Sequence, residues 1–298
     1  MAFGQTVLIT GASNGMGKVM AQSLAAAGHR VIASMRDVQG KNAEAAEALR
    51  NAPAVTPITV VEIDVTDDQS VASGVQQALD ISGHIDVLIN CAGVMWTGIA
   101  ESFSAQQLQN ILNTNLVGPF RMFKAVLPHM RERSQGLCIT ITSLAGRTMA
   151  PGMGIYAASK AGAEAIAEII GYEVASQNID TVIVEPGMFQ TNLIASQQTP
   201  ADEAVANAYG EHFSPFQQVQ ENVMNAIMAA GVENTDPRLV AELVQKLIET
   251  PKGERPLRVT VGLDFATDAL NQAAAPHQQH FLELLGFKDG LRVKPAAN

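Results

Sequence analysis

The chain has 298 residues, a formal net charge of -10, 47% hydrophobic residues and 16% charged residues. Such a chain can bury a large core, and its balance excludes a disordered or fibrous protein. Excess acid without a cluster of Lys and Arg also argues against nucleic acid or an anionic membrane surface as partner.

The start, "MAFGQTVLITGAS", passes directly into a strand-like run without the layout of a signal peptide, and no segment is apolar enough to span a bilayer. Cys91 and Cys138 both sit in apolar strand-like surroundings, as buried reduced thiols do. Together these features predict a cytoplasmic protein.

Seven short, β-branched runs are predicted strands: 6–10, 30–34, 58–65, 85–90, 137–142, 179–185 and 257–262. Most are continuously apolar, which is the pattern of strands covered on both faces, and Ala-rich helical stretches separate them. The alternation predicts an α/β fold, a doubly wound and mainly parallel seven-stranded sheet of Rossmann type with helices on both faces. Thr66 and Gln69 suggest a capping box, and Asp236-Pro237 suggests an N-cap followed by proline at the first helical position. Pro119 and Pro128 predict a kink or break in the helical pattern from about 104 to 131. The whole chain, 1–298, reads as one domain. Residues 192–231, which include Phe213, Phe216, Met224 and Met228, fit the alternation poorly and read as a helical insertion covering a site; residues 265–298 read as a C-terminal appendage.

The first strand runs into "TGASNGMG", Thr10 to Gly17, and then into a helix. Gly11, Gly15 and Gly17, with Ser13, Asn14 and Met16 between them, allow a tight turn whose backbone N–H groups and helix dipole suit a pyrophosphate. A dinucleotide is the favoured ligand, the alternative being a structural turn. At the end of the second strand, "IASMRD" places Met35 where an acid would bind the ribose of NAD, with Arg36 next to it. Arginine there accepts the 2′-phosphate of NADP, so NADP(H) is favoured over NAD(H); Asp37 competes if the register slips.

Tyr156 and Lys160 lie four apart in "IYAASKAG", on one helix face with Cβ atoms about 6 Å apart. An ammonium at that distance favours the phenolate by roughly 3 kcal/mol at an effective dielectric near 20, which lowers the tyrosine toward about 8. That expectation makes Tyr156 the acid/base of a proton transfer.

The form T-G-x-x-x-G-x-G, followed by "NCAG", "NTNLVG", "ITSLAG", "YAASK" and "PGMFQT", resembles the short-chain dehydrogenase/reductase family in its compact single-domain branch, over about residues 5–262. The resemblance implies a catalytic set of Asn115, Ser143, Tyr156 and Lys160. It gives Lys160 the nicotinamide ribose hydroxyls, Ser143 the substrate oxygen, and Asn115 a water that relays protons. It assigns Asn90, Ala92 and Gly93 to the floor of the cofactor site, Asp64 and Val65 to the adenine, and Pro186, Gly187 and Thr191 to the nicotinamide end. It implies hydride transfer between a ketone or aldehyde and the corresponding alcohol, and a homodimer or homotetramer built on the helices near 108–131 and 156–176.

Met149, Met153, Trp96, Met188 and Phe189 lie near the predicted loops as lining for an apolar substrate, or as plain core. His277 and His280, three apart, have no carboxylate or thiol nearby to complete a metal site, so none is expected. Two other classes stay open: a dinucleotide-binding sensor or scaffold without turnover, and a nucleotide-sugar epimerase or dehydratase. The intact catalytic set weighs against the first, the glycine spacing against the second.

Overall fold

The structure, a computed structural model, describes residues 4–189, 193, 196–210, 221–222, 225–226, 228–229, 231, 234–287 and 291–295. Its elements, in chain order, are β1 (Thr6–Ile9), α1 (Gly15–Ala26), β2 (Arg30–Met35), α2 (Ala43–Arg50), β3 (Thr59–Glu62), α3 (Asp68–Ser82), β4 (Val87–Asn90), α4 (Ala105–Leu112), α5 (Gly118–Arg133), β5 (Gly136–Ile141), α6 (Gly154–Val174), β6 (Ile179–Pro186), α7 (Glu203–Ala208), α8 (Arg238–Glu249), β7 (Arg258–Val261) and α9 (Thr267–Leu284). The strands form one sheet in the order β3-β2-β1-β4-β5-β6-β7, and every neighbouring pair is parallel.

Continuous apolar strands are needed because alternate residues feed two separate cores. Val7 and Ile9, Val31 and Ala33, and Val87 and Ile89 point to one face, where Met20 and Leu24 of α1, Leu49 of α2 and Val244 of α8 cover them. Leu8, Ile32 and Leu88 point to the other, under Val75 of α3, Phe123 of α5 and Ala167 and Ile170 of α6. The order of the strands reverses between β1 and β4, so a crevice opens at the carboxyl edge between them, where ligands of such sheets bind.

Three helix ends differ from expectation. The cap of α3 is Asp67, whose carboxylate accepts the Ser70 N–H at 2.6 Å, instead of the Thr66–Gln69 box; Thr66 is held by Asp64 Oδ1. Asp236 does receive the Arg238 N–H at 2.8 Å, but Pro237 occupies the cap position and α8 begins one residue later. The helical pattern from 104 to 131 is interrupted at 113–117, just before Pro119, by a π-helical turn in which the Gly118 N–H reaches back to Asn113 O. No break occurs at Pro128, and α5 runs through it to Arg133.

Within 192–231, residues 196–199 bond the loop after β4 and the start of α4. Trp96 Nε1 donates to Ser196 O at 2.8 Å, Thr97 N–H to Gln197 Oε1 at 3.0 Å, and Gln107 Nε2 to Thr199 O at 2.8 Å. Met228 is exposed, whereas Phe213, Phe216 and Met224 lie outside the described residues. The C-terminal appendage is mainly α9, which returns to the sheet after β7.

Candidate active site

The glycine turn has geometry that other residues would break. Gly11 has a φ of 71°, and a Cβ there would lie 2.6 Å from Ala92 Cα; at Gly17 it would lie 2.4 Å from Gly11 O. Thr10 Oγ1 ties this turn to the end of β4 by accepting the N–H groups of Cys91 and Ala92 at 3.0 and 3.1 Å. The N-terminus of α1 is open. Asn14 is extended and does not cap it, and the first turn contains no acid. Free N–H groups with no competing carboxylate are what a pyrophosphate requires. Beside the turn, both amide atoms of Asn90 are buried without a hydrogen-bond partner among the described residues.

At the end of β2, Met35 is buried and Arg36 is exposed, its side chain unpaired among the described residues. Asp37 is exposed and engaged in the turn that follows: its φ is 51°, and its carboxylate accepts the Lys41 N–H at 2.8 Å. Asp64 Oδ1 is engaged by Thr66, and Val65 is buried. Pro186 and Gly187 close the end of β6, with the Gly187 N–H bonded to Val261 O at 2.9 Å. Thr191 lies outside the described residues.

Tyr156 and Lys160, in the first turns of α6, converge. Lys160 Nζ lies 5.8 Å from the centre of the Tyr156 ring and donates to Ile141 O at 3.1 Å. Ser143 begins the short turn 144–146 and its hydroxyl accepts the Ala145 N–H at 3.2 Å. Asn115, placed by the π-helical turn, is nearly saturated: Oδ1 accepts the Val94 N–H at 2.9 Å, and Nδ2 donates to Val94 O at 2.8 Å and to Ser159 Oγ at 2.9 Å. Its side chain therefore braces the loop after β4 against α6, and only one Oδ1 lone pair is left for a relay water. A Cβ on Gly93 would lie 3.3 Å from Asn115 Oδ1 and 3.6 Å from Lys160 Nζ, so glycine keeps the space between them clear.

The lowered tyrosine pKa expected from the lysine is corrected here. Tyr156 is pushed up to about 12, mainly by burial, with its hydrogen bond to Ser143 pulling the other way. Lys160 is pulled down to about 8, again mainly by burial. Desolvation is the largest cause for both groups and acts against charge, so the phenol rests protonated. The thiols are free and lifted by burial, Cys91 to about 11 and Cys138 to about 12.

Trp96 and Met153 join Tyr156, Ile111 and Ile155 in a small apolar cluster around the tyrosine ring. Phe189 packs on the main core instead, and Met149 is exposed. Among the described residues no group of three or more His, Cys, Asp or Glu side chains is arranged to hold a metal ion.

Sequence reasoning missed a buried charge cluster behind the site. Glu164, one turn beyond Lys160, and Glu185, on β6, face one guanidinium: Arg258 Nε lies 3.7 Å from Glu164 Oε2 and 3.5 Å from Glu185 Oε1. Arg258 also pairs with Glu168. Neither Glu164 oxygen has a hydrogen-bond partner among the described residues. Burial first, and then the charge of Glu185, raises Glu164 to about 8; burial alone raises Glu185, against the pull of Asn271 and Arg258. Isolated acids inside apolar runs, as in "AGAEAIAEII" and "IDTVIVEP", were the available signal.

A sequence profile described as short chain dehydrogenase matches residues 5–203. The 3-ketodihydrosphingosine reductase of Bacteroides thetaiotaomicron is 33% identical over 222 residues, which span 73% of this chain and 78% of that protein. Retinol dehydrogenase 8 of Homo sapiens is 38% identical over 187 residues, or 61% of this chain and 58% of that one. The crystal structure of a short-chain dehydrogenase from Streptomyces avermitilis aligns with a TM-score of 0.74 and 28% identity, covering 96% of this chain and 98% of that chain.

Proposed function

The chain belongs to the short chain dehydrogenase family and is an oxidoreductase, and on that premise we propose that it interconverts a ketone or aldehyde and the corresponding alcohol with NADP(H). The observation that carries this reading is Tyr156 placed between the Ser143 hydroxyl, to which it is hydrogen-bonded, and the Lys160 ammonium, at the same sheet edge as the open N-terminus of α1.

The dinucleotide, when bound, supplies the hydride chemistry. The chain's own residues handle the proton. In the reductive direction the Tyr156 hydroxyl donates its proton to the substrate carbonyl oxygen, and Ser143 donates a hydrogen bond to the same oxygen. A phenol held at about 12 is protonated at neutral pH, which supports reduction as the resting assignment. As the phenolate forms, the nearby Lys160 ammonium stabilises it; because Lys160 loses its own proton near 8, that help fades in alkaline solution. Asn115 keeps the loop after β4 fixed relative to α6, and so keeps the lysine in place.

Three observations support the choice of NADP(H) and of an apolar substrate. Arg36 is exposed and unpaired among the described residues at the end of β2, whereas Asp37 is tied to the following turn. The tyrosine ring sits in an apolar cluster. The two relatives named above take their names from a ketosphingoid base and a retinol. A cytoplasmic location and a homodimer or homotetramer belong to the same proposal; exposed Phe120 on α5 and Ile169 on α6 support the assembly.

The test is a panel of apolar ketones and aldehydes followed at the nicotinamide absorbance with either cofactor. Tyr156→Phe should lose on the order of a hundredfold or more in kcat. An unchanged rate in that variant rejects the mechanism.

A further inference from the structure

The C-terminal appendage touches the site at successive points. After β7 the chain passes over Gly187 so closely that a Cβ there would lie 2.1 Å from Leu263 O. Four residues later Thr267, fully buried, places its hydroxyl 3.0 Å from that of Thr148. One turn further along α9, on the same face, Asn271 uses both ends of its amide. Oδ1 accepts Arg147 Nε–H at 2.9 Å, and Nδ2 donates to Glu185 Oε2 at 2.5 Å.

These partners belong to the site. Arg147 closes the short turn that Ser143 opens, with its N–H bonded to Leu144 O, and Thr148 bonds the same carbonyl through both its N–H and its hydroxyl. Glu185 immediately precedes Pro186 and Gly187. The underside of the serine turn rests on Glu164: a Cβ on Gly146 would lie 2.3 Å from Glu164 Oε1. At the root of the turn Thr142 bonds Val184 O of β6 through its N–H at 2.8 Å and its hydroxyl at 3.0 Å; the Asn271 amide ties the far end of the turn, at Arg147, to the next residue of β6.

We propose that Asn271 is a positioning residue: it clasps the turn carrying Ser143 to the end of β6, making the C-terminal helix part of the catalytic apparatus. An amide suits the task because it presents an acceptor to a guanidinium and a donor to a carboxylate at once. Aspartate at this position would retain the acceptor, lose the donor and set a second carboxylate against Glu185.

The kinetic part of the test rests on the proposed reaction; the exchange part does not. In the full-length protein, Asn271→Ala should raise amide hydrogen exchange in residues 143–148, and Asn271→Asp, which keeps the side-chain volume, should raise it further. Gln279→Ala, further along the same helix, should leave it unchanged. No rise in the Asn271 variants, or an equal rise with Gln279→Ala, overturns the clasp. In turnover, Asn271→Ala should lower kcat by on the order of tenfold to a hundredfold with dinucleotide affinity retained. In a Ser143→Ala background the same substitution should cost little more, because it acts through that serine. A full multiplicative loss in that background overturns the assignment. If no carbonyl is turned over by the wild type, the proposed reaction fails while the exchange data still decide the clasp.

Discussion

Replacing Glu164 by glutamine should change how stability responds to pH. Glu164 titrates near 4.5 when exposed and near 8 in the fold, chiefly through burial and next through the charge of Glu185. Between those values the folded state holds a proton that the unfolded chain has released, so stability is highest below the lower value. It falls as pH rises toward the upper one. One group crossing that window contributes about 1 kcal/mol per pH unit. Glutamine cannot titrate, and its N–H groups can serve Glu185, so the variant should be the more stable protein at about pH 7.5 and show a shallower slope. The slope should not vanish, since Glu185 is shifted in the same direction. Lys160 has the opposite sign, adding stability as pH climbs from about 8 to 10.5, so the comparison belongs below pH 8. Urea unfolding of both proteins at about pH 5.5, 6.5 and 7.5 gives the slopes directly. Identical slopes would refute the account of a buried carboxyl kept neutral by its surroundings.

Other substitutions probe separate parts of the argument. Gly17→Ala puts a methyl 2.4 Å from a backbone oxygen that cannot easily move; it should cost about 1–3 kcal/mol in denaturant and weaken dinucleotide binding in a fluorescence titration. Retained affinity would count against the close packing of the turn. Arg36→Ala should lower kcat/KM with NADPH by on the order of tenfold or more and leave NADH nearly unaffected, and an equal loss with both would remove the case for a 2′-phosphate contact. Leu88→Ala, at a fully buried position in the central strand, should lower unfolding free energy by about 2–5 kcal/mol. A loss well under that range would mean the core beneath β4 is looser than its burial suggests.

The sheet was readable because burial on both faces leaves a one-dimensional mark: an uninterrupted apolar run between turn residues. Most of the seven strands carry it; β7 is only half-buried along its length, and boundaries shift by a few residues at open positions such as exposed Glu62. Tyr156 and Lys160 were legible as neighbours on one turn of one helix. Their ionisation was not, because desolvation depends on what other elements close over them. Asn271, Arg147 and Glu185 meet from segments far apart in the chain, and nothing in the local pattern of any one of them announces the other two. Asp67 displaced Thr66 as a cap because Thr66 was already held by Asp64, a competition visible only in three dimensions.

The wide turn at 113–117 holds one residue more than a regular helix would. Removing that residue would let α4 and α5 fuse into an unbroken rod, rotating everything on one side of the join by roughly 100° about the axis. The rod would gain regularity, and Asn115 would swing out of reach of Val94 and Ser159. Selection for robustness alone would favour the repaired helix, so the irregularity marks a place where this architecture trades tidiness for a working interior.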